Sequence, residues 1–129
     1  MKKTISIVIA VAPNRNAEVI ESIKKSNYPK EKYEIIVEKG LNPSNNRNNG
    51  AKKASGKIIG FIDDDAVIEP NLLKNVEEFF NKNKEVSIVG GPQLTPKDEK
   101  GFAKISGYAL SSLFGSWKIS NRYSGKKLK

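Results

Sequence analysis

The apolar positions of the chain fall into four short runs that have the character of β-strands. Residues 4–12 (TISIVIAVA) are almost continuously apolar and rich in β-branched side chains, which is typical of a strand covered on both faces. Shorter runs predict further strands over residues 33–37, 57–62 and 85–89. All four runs are far shorter than the roughly 18 consecutive apolar residues that a membrane-spanning helix needs.

The segments between these runs have helical spacing. Residues 17–26 place apolar side chains on one face, and Asn16 is predicted to be the N-cap of that helix. A short helix is predicted over residues 48–55, and another begins near Pro70 with leucines and phenylalanines on its apolar face. Residues 102–113 have mixed apolar spacing that is compatible with a further helix.

The alternation of strands and helices predicts an α/β fold with a mostly parallel sheet covered by helices. Ligands bind such sheets at the carboxyl ends of the strands. The segments that follow the first three predicted strands are residues 12–15 (APNR), 38–40 (EKG) and 63–65 (DDD). We therefore expect these three segments to meet at one edge of the sheet.

The triple aspartate is the sharpest chemical feature of the sequence. Three adjacent carboxylates repel one another unless a cation or hydrogen-bond donors offset their charge. At the end of a strand, Asp63 and Asp65 point to one side and Asp64 to the other. Two carboxylates on one side can chelate a divalent ion that also binds a pyrophosphate. The alternative interpretation is a solvated acidic turn, or Asp65 acting as a helix cap.

Two more side chains are candidates for the same edge. Glu38 follows a buried strand, where it can accept hydrogen bonds from a ribose or a base, or be an ordinary edge carboxylate. Arg47 lies in an Asn-rich loop that enters a helix, where it can pair with a phosphate or a nucleobase carbonyl, or be a surface arginine. Lys52 and Lys53 are interpreted as solvated helix charges.

Composition limits the chemistry further. The 129 residues are enough for one domain and contain neither cysteine nor histidine, which rules out disulfides, zinc ribbons, thiol nucleophiles and histidine bases. A metal site must then be built from oxygen ligands, which suits Mg²⁺, Mn²⁺ or Ca²⁺. The net charge is +9, and residues 116–129 contain five basic residues and no acidic one. This basic tail supports a second hypothesis, a non-catalytic basic module that binds nucleic acid or an anionic membrane.

Five segments taken together resemble family-2 glycosyltransferases of the GT-A fold. The family's central motif is an A-x-G-x-x-[IVL]-x-F-[IL]-D-D-D strand followed by a proline, and residues 55–70 (SGKIIGFIDDDAVIEP) resemble it. Four other segments resemble the family in the same order. Residues 5–14 resemble its first strand and P-x-x-N turn, and residues 28–37 resemble YP…EIIVVD. Residues 46–50 (NRNNG) resemble A-R-N-x-G, and residues 90–96 (GGPQLTP) resemble a stretch after the fourth strand. We therefore expect a GT-A (Rossmann-like) domain over residues 1–115 and a basic tail over residues 116–129.

The resemblance implies transfer of a sugar from a nucleotide sugar, most often UDP- or GDP-linked, to a saccharide or lipid-linked acceptor, as in the synthesis of cell-envelope polysaccharide. It implies that the Ala12 backbone contacts the base, that Glu38 contacts uracil or ribose, and that Arg47 contacts the base or diphosphate. Asp63 and Asp64 would complete the nucleotide-sugar site, and Asp63 and Asp65 would hold Mn²⁺ or Mg²⁺.

The chain also departs from the family pattern. The family usually has Asp, within V-D-D-G-S, where this chain has Glu38. Family members continue into a second half that carries the acceptor wall and an acidic catalytic base, and no acid after Asp65 stands in that context. We therefore expect a truncated domain without an assigned base, with the acceptor half on a separate chain or on a second copy.

Location and competing enzyme classes complete the expectations. The expected location is cytoplasmic, with peripheral contact at the inner face of the membrane. Nucleic acid is not expected as a partner, because aromatic residues are not interleaved with the basic ones. A phospho-acceptor receiver domain or a dehalogenase-type phosphatase would need acids at the end of the first strand, where Pro13 and Asn14 stand.

Overall fold

A computed structural model describes residues 2–91 of the chain. Its elements are β1 (Ile5–Val11), α1 (Val19–Lys24), a 3-10 turn (Lys30–Lys32), β2 (Tyr33–Lys39), α2 (Pro43–Lys53), β3 (Ile58–Phe61) and α3 (Leu72–Lys82). The three strands are all parallel and lie in the order β2-β1-β3. The predicted α/β architecture with a parallel, helix-covered sheet is therefore confirmed.

The chain divides into two compact units, residues 1–85 and residues 86–129. All the elements named above belong to the first unit. Only residues 86–91 of the second unit are described, so the helix predicted over residues 102–113 and the basic tail lie outside the described residues. None of the described helices has the length and apolar character that crossing a bilayer requires.

The core is built on the central strand β1. One face of β1 carries Ile5, Ile7, Ile9 and Val11, all at most 2% exposed, and these pack in one cluster with apolar side chains of α1 and α3. The other face carries Val8, which contacts the backbone of Gly50 in α2 so closely that an added Cβ would overlap it. A strand buried on both faces explains the nearly unbroken apolar run in the sequence.

Helix α2 begins five residues earlier than the sequence pattern predicts. Its N-cap is Asn42, whose side chain accepts a hydrogen bond from the backbone N–H of Asn45 at 3.1 Å, and Pro43 follows in the first turn. The buried positions of the helix are Asn46 and Gly50 rather than apolar residues. The predicted start at residue 48 was wrong because this helix packs through small and polar positions, which an apolar stripe does not reveal.

Helix α1 corrects a second expectation. The predicted N-cap, Asn16, does not cap the helix, which begins at Val19 after Glu18 and has no side-chain cap. The backbone first turns after β1, with the Arg15 N–H donating to the Ala12 carbonyl at 3.0 Å. The chain becomes helical only where the Val19 N–H meets the carbonyl of Asp64 at 3.0 Å. A bond from another segment therefore satisfies a donor at the helix start that a cap would otherwise satisfy.

The fourth predicted strand is absent from the described part of the chain. Residues 85–89 form no strand, and Ile88 is 88% exposed. An extended apolar segment becomes a strand only when a neighbour supplies ladder hydrogen bonds, and within residues 2–91 the ladders pair only the first three strands. The third predicted helix is confirmed, since α3 begins at Leu72 just after Pro70.

Candidate functional site

The carboxyl ends of the three strands bring the three predicted segments to one edge of the sheet. Val11 pairs with Lys39 at the end of the β1–β2 ladder, and the Gly40 N–H donates to the Val11 carbonyl at 3.1 Å. On the other side of β1, the Ile62 N–H donates to the Val8 carbonyl at 3.2 Å, just before the aspartates. The expectation that residues 12–15, 38–40 and 63–65 leave the sheet at a common edge therefore holds.

The aspartates form a tight turn in which burial alternates. The Ala66 N–H donates to the Asp63 carbonyl at 3.2 Å and closes the turn. The side chains of Asp63 and Asp65 are 53% and 63% exposed, whereas that of Asp64 is only 11% exposed. The exposure alternates, but these residues form a turn beyond the end of β3, so the placing of Asp63 and Asp65 on one side stays a prediction.

Arg15 bridges two of the three aspartates. Its Nε lies 3.1 Å from Asp64 Oδ2 and its terminal NH2 lies 3.3 Å from Asp65 Oδ2. The turn after β1 places Arg15 there, and the bond between the Val19 N–H and the Asp64 carbonyl joins the same two segments through the backbone. One guanidinium thus spans a buried and an exposed carboxylate.

Arg47 contacts the remaining aspartate. It lies in the second turn of α2, and its NH2 is 3.5 Å from Asp63 Oδ1, with both side chains about half exposed. The edge therefore holds three carboxylates and two guanidinium groups, which leaves one negative charge in excess. An exposed cluster with this balance can take up a cation and then an anion without a large change in net charge.

Glu38 lies on a different part of the edge. It belongs to β2, opposite Ala10, and its side chain is only 15% exposed. The ammonium group of Lys53 contacts its Oε1 at 2.5 Å. Lys53 is 63% exposed, as expected for a helix charge, but it is an ion-pair partner of Glu38 rather than only a solvated residue.

A small pocket opens between the ends of β1 and β2 and the start of α2. Its volume of about 50 Å³ is enough for a few water molecules. It is lined by Ala10, Val11, Ala12, Gly40, Leu41, Pro43 and Asn46. Ala12, the predicted contact for the base, therefore lies at this pocket, while its carbonyl accepts the turn bond from Arg15.

Asn46 fixes the shape of this corner. It is 7% exposed, and its amide donates to the Gly40 carbonyl at 3.0 Å, with the Val11 carbonyl at 3.5 Å. A Cβ on Gly40 would approach Asn46 Oδ1 to 2.7 Å, so a larger residue here would displace the Asn46 amide from its hydrogen bonds. One buried amide thus joins the ends of β1 and β2 to α2, directly before Arg47.

The residues at this edge fit a divalent metal that shares its coordination with a ligand. Within residues 2–91, no group of three or more acidic side chains is arranged to hold a metal ion alone. The exposed oxygens of Asp63 and Asp65 are the available protein ligands. Mg²⁺ is commonly held by one or two carboxylates together with substrate phosphates and water, and Mn²⁺ also suits oxygen ligands.

Three side chains of this region were missed as site residues by the sequence analysis. The sequence pattern places Arg15 at the edge without indicating a role, indicates a solvated position for Lys53, and marks Asn46 only as part of the NRNNG motif. Charge balance was the available signal for Arg15, because three adjacent acids at an edge require cations from the neighbouring loops. The Glu38–Lys53 pair had no comparable signal, since it depends on how α2 returns along β2.

Comparison with known families gives the chain its classification. The family model described as Glycosyl transferase family 2 matches residues 13–128, which is most of the chain. A search of curated proteins and a search of solved structures each found no match. The matched range includes Arg15, Arg47 and all three aspartates of the edge. The chain belongs to glycosyl transferase family 2.

Proposed function

We propose that this chain binds a nucleotide-diphosphate sugar together with Mn²⁺ or Mg²⁺ and provides the donor site for transfer of the sugar to a saccharide or lipid-linked acceptor. The observation that carries the proposal is the pairing of exposed Asp63 and Asp65 with arginines from two other segments at the carboxyl edge of a parallel sheet. Family membership supplies the reaction class, sugar transfer.

Each residue has an assigned part in this proposal. Asp63 and Asp65 hold the metal, and Arg47, beside Asp63, pairs with the diphosphate. The backbone of Ala12 contacts the base at the small pocket. When bound, the metal offsets the charge that develops on the departing diphosphate.

Glu38 is assigned to the ribose or the base, with Lys53 as its partner. Lys53 contacts Oε1, and the second carboxylate oxygen can accept a hydrogen bond from a ribose hydroxyl or a base N–H. The longer side chain of Glu, compared with the family's usual Asp, places that oxygen farther from β2. We expect this pair to influence which nucleotide is preferred.

The wider assignments are proposals of the same kind. The donor domain extends over residues 1–115 and Asp64 belongs to its nucleotide-sugar site, while residues 116–129 form a basic tail. The carboxylate that takes the proton of the acceptor hydroxyl is not among the residues assigned to the donor site. The proposed acceptor reaction is in cell-envelope polysaccharide synthesis, at the inner face of the membrane.

Calorimetric titration of UDP and of GDP into the full chain tests the proposal. Each titration is run with Mn²⁺ and with a chelator, on the natural chain, on Asp65→Asn and on Glu78→Gln. Glu78 is an exposed acid of α3 and is the matched control, since both substitutions exchange one carboxylate for an amide. We expect metal-dependent binding of one nucleotide in the natural chain and in Glu78→Gln, and its loss in Asp65→Asn.

Two results would contradict the proposal. A folded natural chain that binds neither nucleotide in the presence of Mn²⁺ would leave the assigned donor site without a ligand. Nucleotide binding that is unchanged by the chelator and by Asp65→Asn would place the nucleotide away from the aspartates.

A further inference from the structure

The unequal burial of the two carboxylates that Arg15 contacts suggests a role for this residue beyond the donor contacts assigned above. Asp64, on the Nε side of the guanidinium, is 11% exposed, whereas Asp65, on the NH2 side, is 63% exposed. Water and salt screen an exposed ion pair strongly and a buried one weakly, and a buried carboxylate left unpaired is costly. The Asp64 contact therefore anchors Arg15, and the Asp65 contact is the one that another anion can easily replace.

The backbone strengthens this anchor. The Val19 N–H bonds the Asp64 carbonyl, and the Arg15 N–H bonds the Ala12 carbonyl, so both ends of the loop that carries Arg15 are fixed. Arg15 can release Asp65 without leaving the edge, because its Nε remains on Asp64. Its NH2 group then presents two N–H donors to whatever anion lies beside Asp65.

We propose that Arg15 is a donor-binding residue that pairs with Asp65 in the free protein and donates to the diphosphate of the nucleotide sugar in the complex. This inference rests on the proposed function, since it takes Asp65 as a metal ligand. In the free protein, Arg15 offsets the repulsion between Asp64 and Asp65. In the complex, its planar fork stays on Asp64 with one edge and reaches a phosphate oxygen with the other.

The proposal predicts effects of opposite sign on two ligands. Arg15→Gln removes a positive charge that competes for Asp65, so Mn²⁺ alone should bind more tightly, by up to about fivefold for an exposed pair. The same change removes a charged donor to the diphosphate, so UDP or GDP at saturating Mn²⁺ should bind about tenfold more weakly. A purely structural role would move both affinities in the same direction.

The test measures both affinities on the full chain. Free Mn²⁺ is followed by electron paramagnetic resonance and nucleotide binding by calorimetry, for the natural chain, Arg15→Gln, Arg15→Lys and Lys57→Gln. Lys57 is exposed and precedes β3 at the opposite edge, so it controls for the loss of one positive charge. Arg15→Lys keeps the charge but lacks the planar guanidinium fork, so it should bind Mn²⁺ normally and the nucleotide weakly. This variant serves as the test if Arg15→Gln does not fold.

The outcomes separate this inference from the proposed function. If the natural chain binds neither Mn²⁺ nor a nucleotide, both proposals fail. If it binds both, and the Arg15 variants match Lys57→Gln, the donor site stands and the role of Arg15 is wrong. If Arg15→Gln weakens both ligands equally, Arg15 only holds Asp65 in place and does not contact the diphosphate.

Discussion

At the scale of single residues, Glu34 joins three segments at the amino-terminal edge of the sheet, opposite the candidate site. Its Oε1 accepts hydrogen bonds from Ser6 Oγ at 2.5 Å and from both the backbone N–H and the Oγ of Ser55 at 2.8 Å. The bond from Ser6, followed by the backbone bond from Ser55, lowers the pKa of Glu34 below its ordinary value of 4.5. Glu34 therefore stabilises the fold in its charged form.

Acid should remove this stabilisation. Because the pKa of Glu34 is lower in the folded state, its stabilisation of the fold is complete above the unfolded-state pKa of about 4.5. This stabilisation is lost as pH falls through the folded-state pKa. We expect Glu34→Gln to lower the free energy of unfolding at neutral pH by about 1 kcal/mol. Urea denaturation of both proteins between neutral and acidic pH measures the difference, which should shrink below the ordinary carboxyl pKa. A difference that is constant with pH, or one that Glu31→Gln in the exposed 3-10 turn reproduces, would contradict this assignment.

Tyr28 provides the corresponding prediction at alkaline pH. It is 6% exposed, and its hydroxyl donates to Glu77 Oε2 in α3 at 2.9 Å. Burial first, and then the bond to Glu77 and its charge, raise the pKa of Tyr28 to about 12. The neutral hydroxyl therefore stabilises the fold fully below pH 10, and this contribution is lost as pH rises towards 12.

An ultraviolet titration of the tyrosines tests this prediction. We expect a late ionisation step in the natural chain that Tyr28→Phe removes, while lowering the free energy of unfolding by about 1 kcal/mol at neutral pH. In Glu77→Gln the late step should move to lower pH but stay above the ordinary value, because burial is the larger cause. Persistence of the late step in Tyr28→Phe would assign it to another tyrosine.

At the scale of elements, the contact of α2 with β1 depends on a glycine. A Cβ at Gly50 would overlap the side chain of Val8, which is 1% exposed in the central strand. Alanine favours a helix interior over glycine by about 1 kcal/mol, whereas overpacking a rigid core costs about 1–3 kcal/mol. The overlap is with a β-branched side chain fixed on both sides, so we expect the steric cost to be larger than the helical gain.

Two glycine substitutions compare these effects. Gly50→Ala should lower the free energy of unfolding by about 1–2 kcal/mol. Gly60→Ala in β3 is the control, because no atom of residues 2–91 lies within 4 Å of its added Cβ, and it should be neutral or slightly stabilising. Thermal or urea unfolding of the two variants measures both changes. A Gly50→Ala variant as stable as the natural chain would mean that α2 can shift away from β1.

At the scale of the whole molecule, the sequence predicted what local patterns encode. The apolar runs predicted β1, β2 and β3. Burial on both faces explains the run in β1, whereas Ile59 and Phe61 of β3 are 42% and 53% exposed, so that strand was recognisable from its β-branched and aromatic residues. The aspartates were recognisable as candidate site residues because adjacent like charges repel one another unless cations or hydrogen-bond donors offset them. The start of α2 was hidden, since Asn46 and Gly50 pack by hydrogen bonding and close approach.

The contacts between distant segments were the other part that the sequence did not reveal. The pairs Arg15–Asp64 and Lys53–Glu38 join residues that are brought together only by the register of the strands. The isolated run at 85–89 shows the same limit, because a strand requires a partner that its own residues do not specify. The acidic site residues and Arg47 were thus predictable, whereas the ion-pair partners Arg15 and Lys53 were not.

The distribution of charge over the whole chain separates the two functional hypotheses. The donor groups proposed here lie between residues 12 and 65, whereas five basic residues lie in the tail at 116–129. Nucleotide binding should therefore be independent of the tail. Attraction to an anionic membrane surface should depend on it, at about 1 kcal/mol for each Lys near the surface.

Neutralising the tail in the full chain tests this separation. We expect the triple variant Lys126→Gln, Lys127→Gln and Lys129→Gln to bind nucleotide and Mn²⁺ like the natural chain, and to bind vesicles containing anionic lipid more weakly. Asp65→Asn should give the reverse, losing metal-dependent nucleotide binding and keeping vesicle binding. Calorimetry and vesicle sedimentation at several salt concentrations provide both readouts, because attraction between charges falls as salt rises. Loss of nucleotide binding in the tail variant would show that the tail belongs to the donor site. Vesicle binding that changes neither with salt concentration nor with the substitutions would remove the basis for a membrane role.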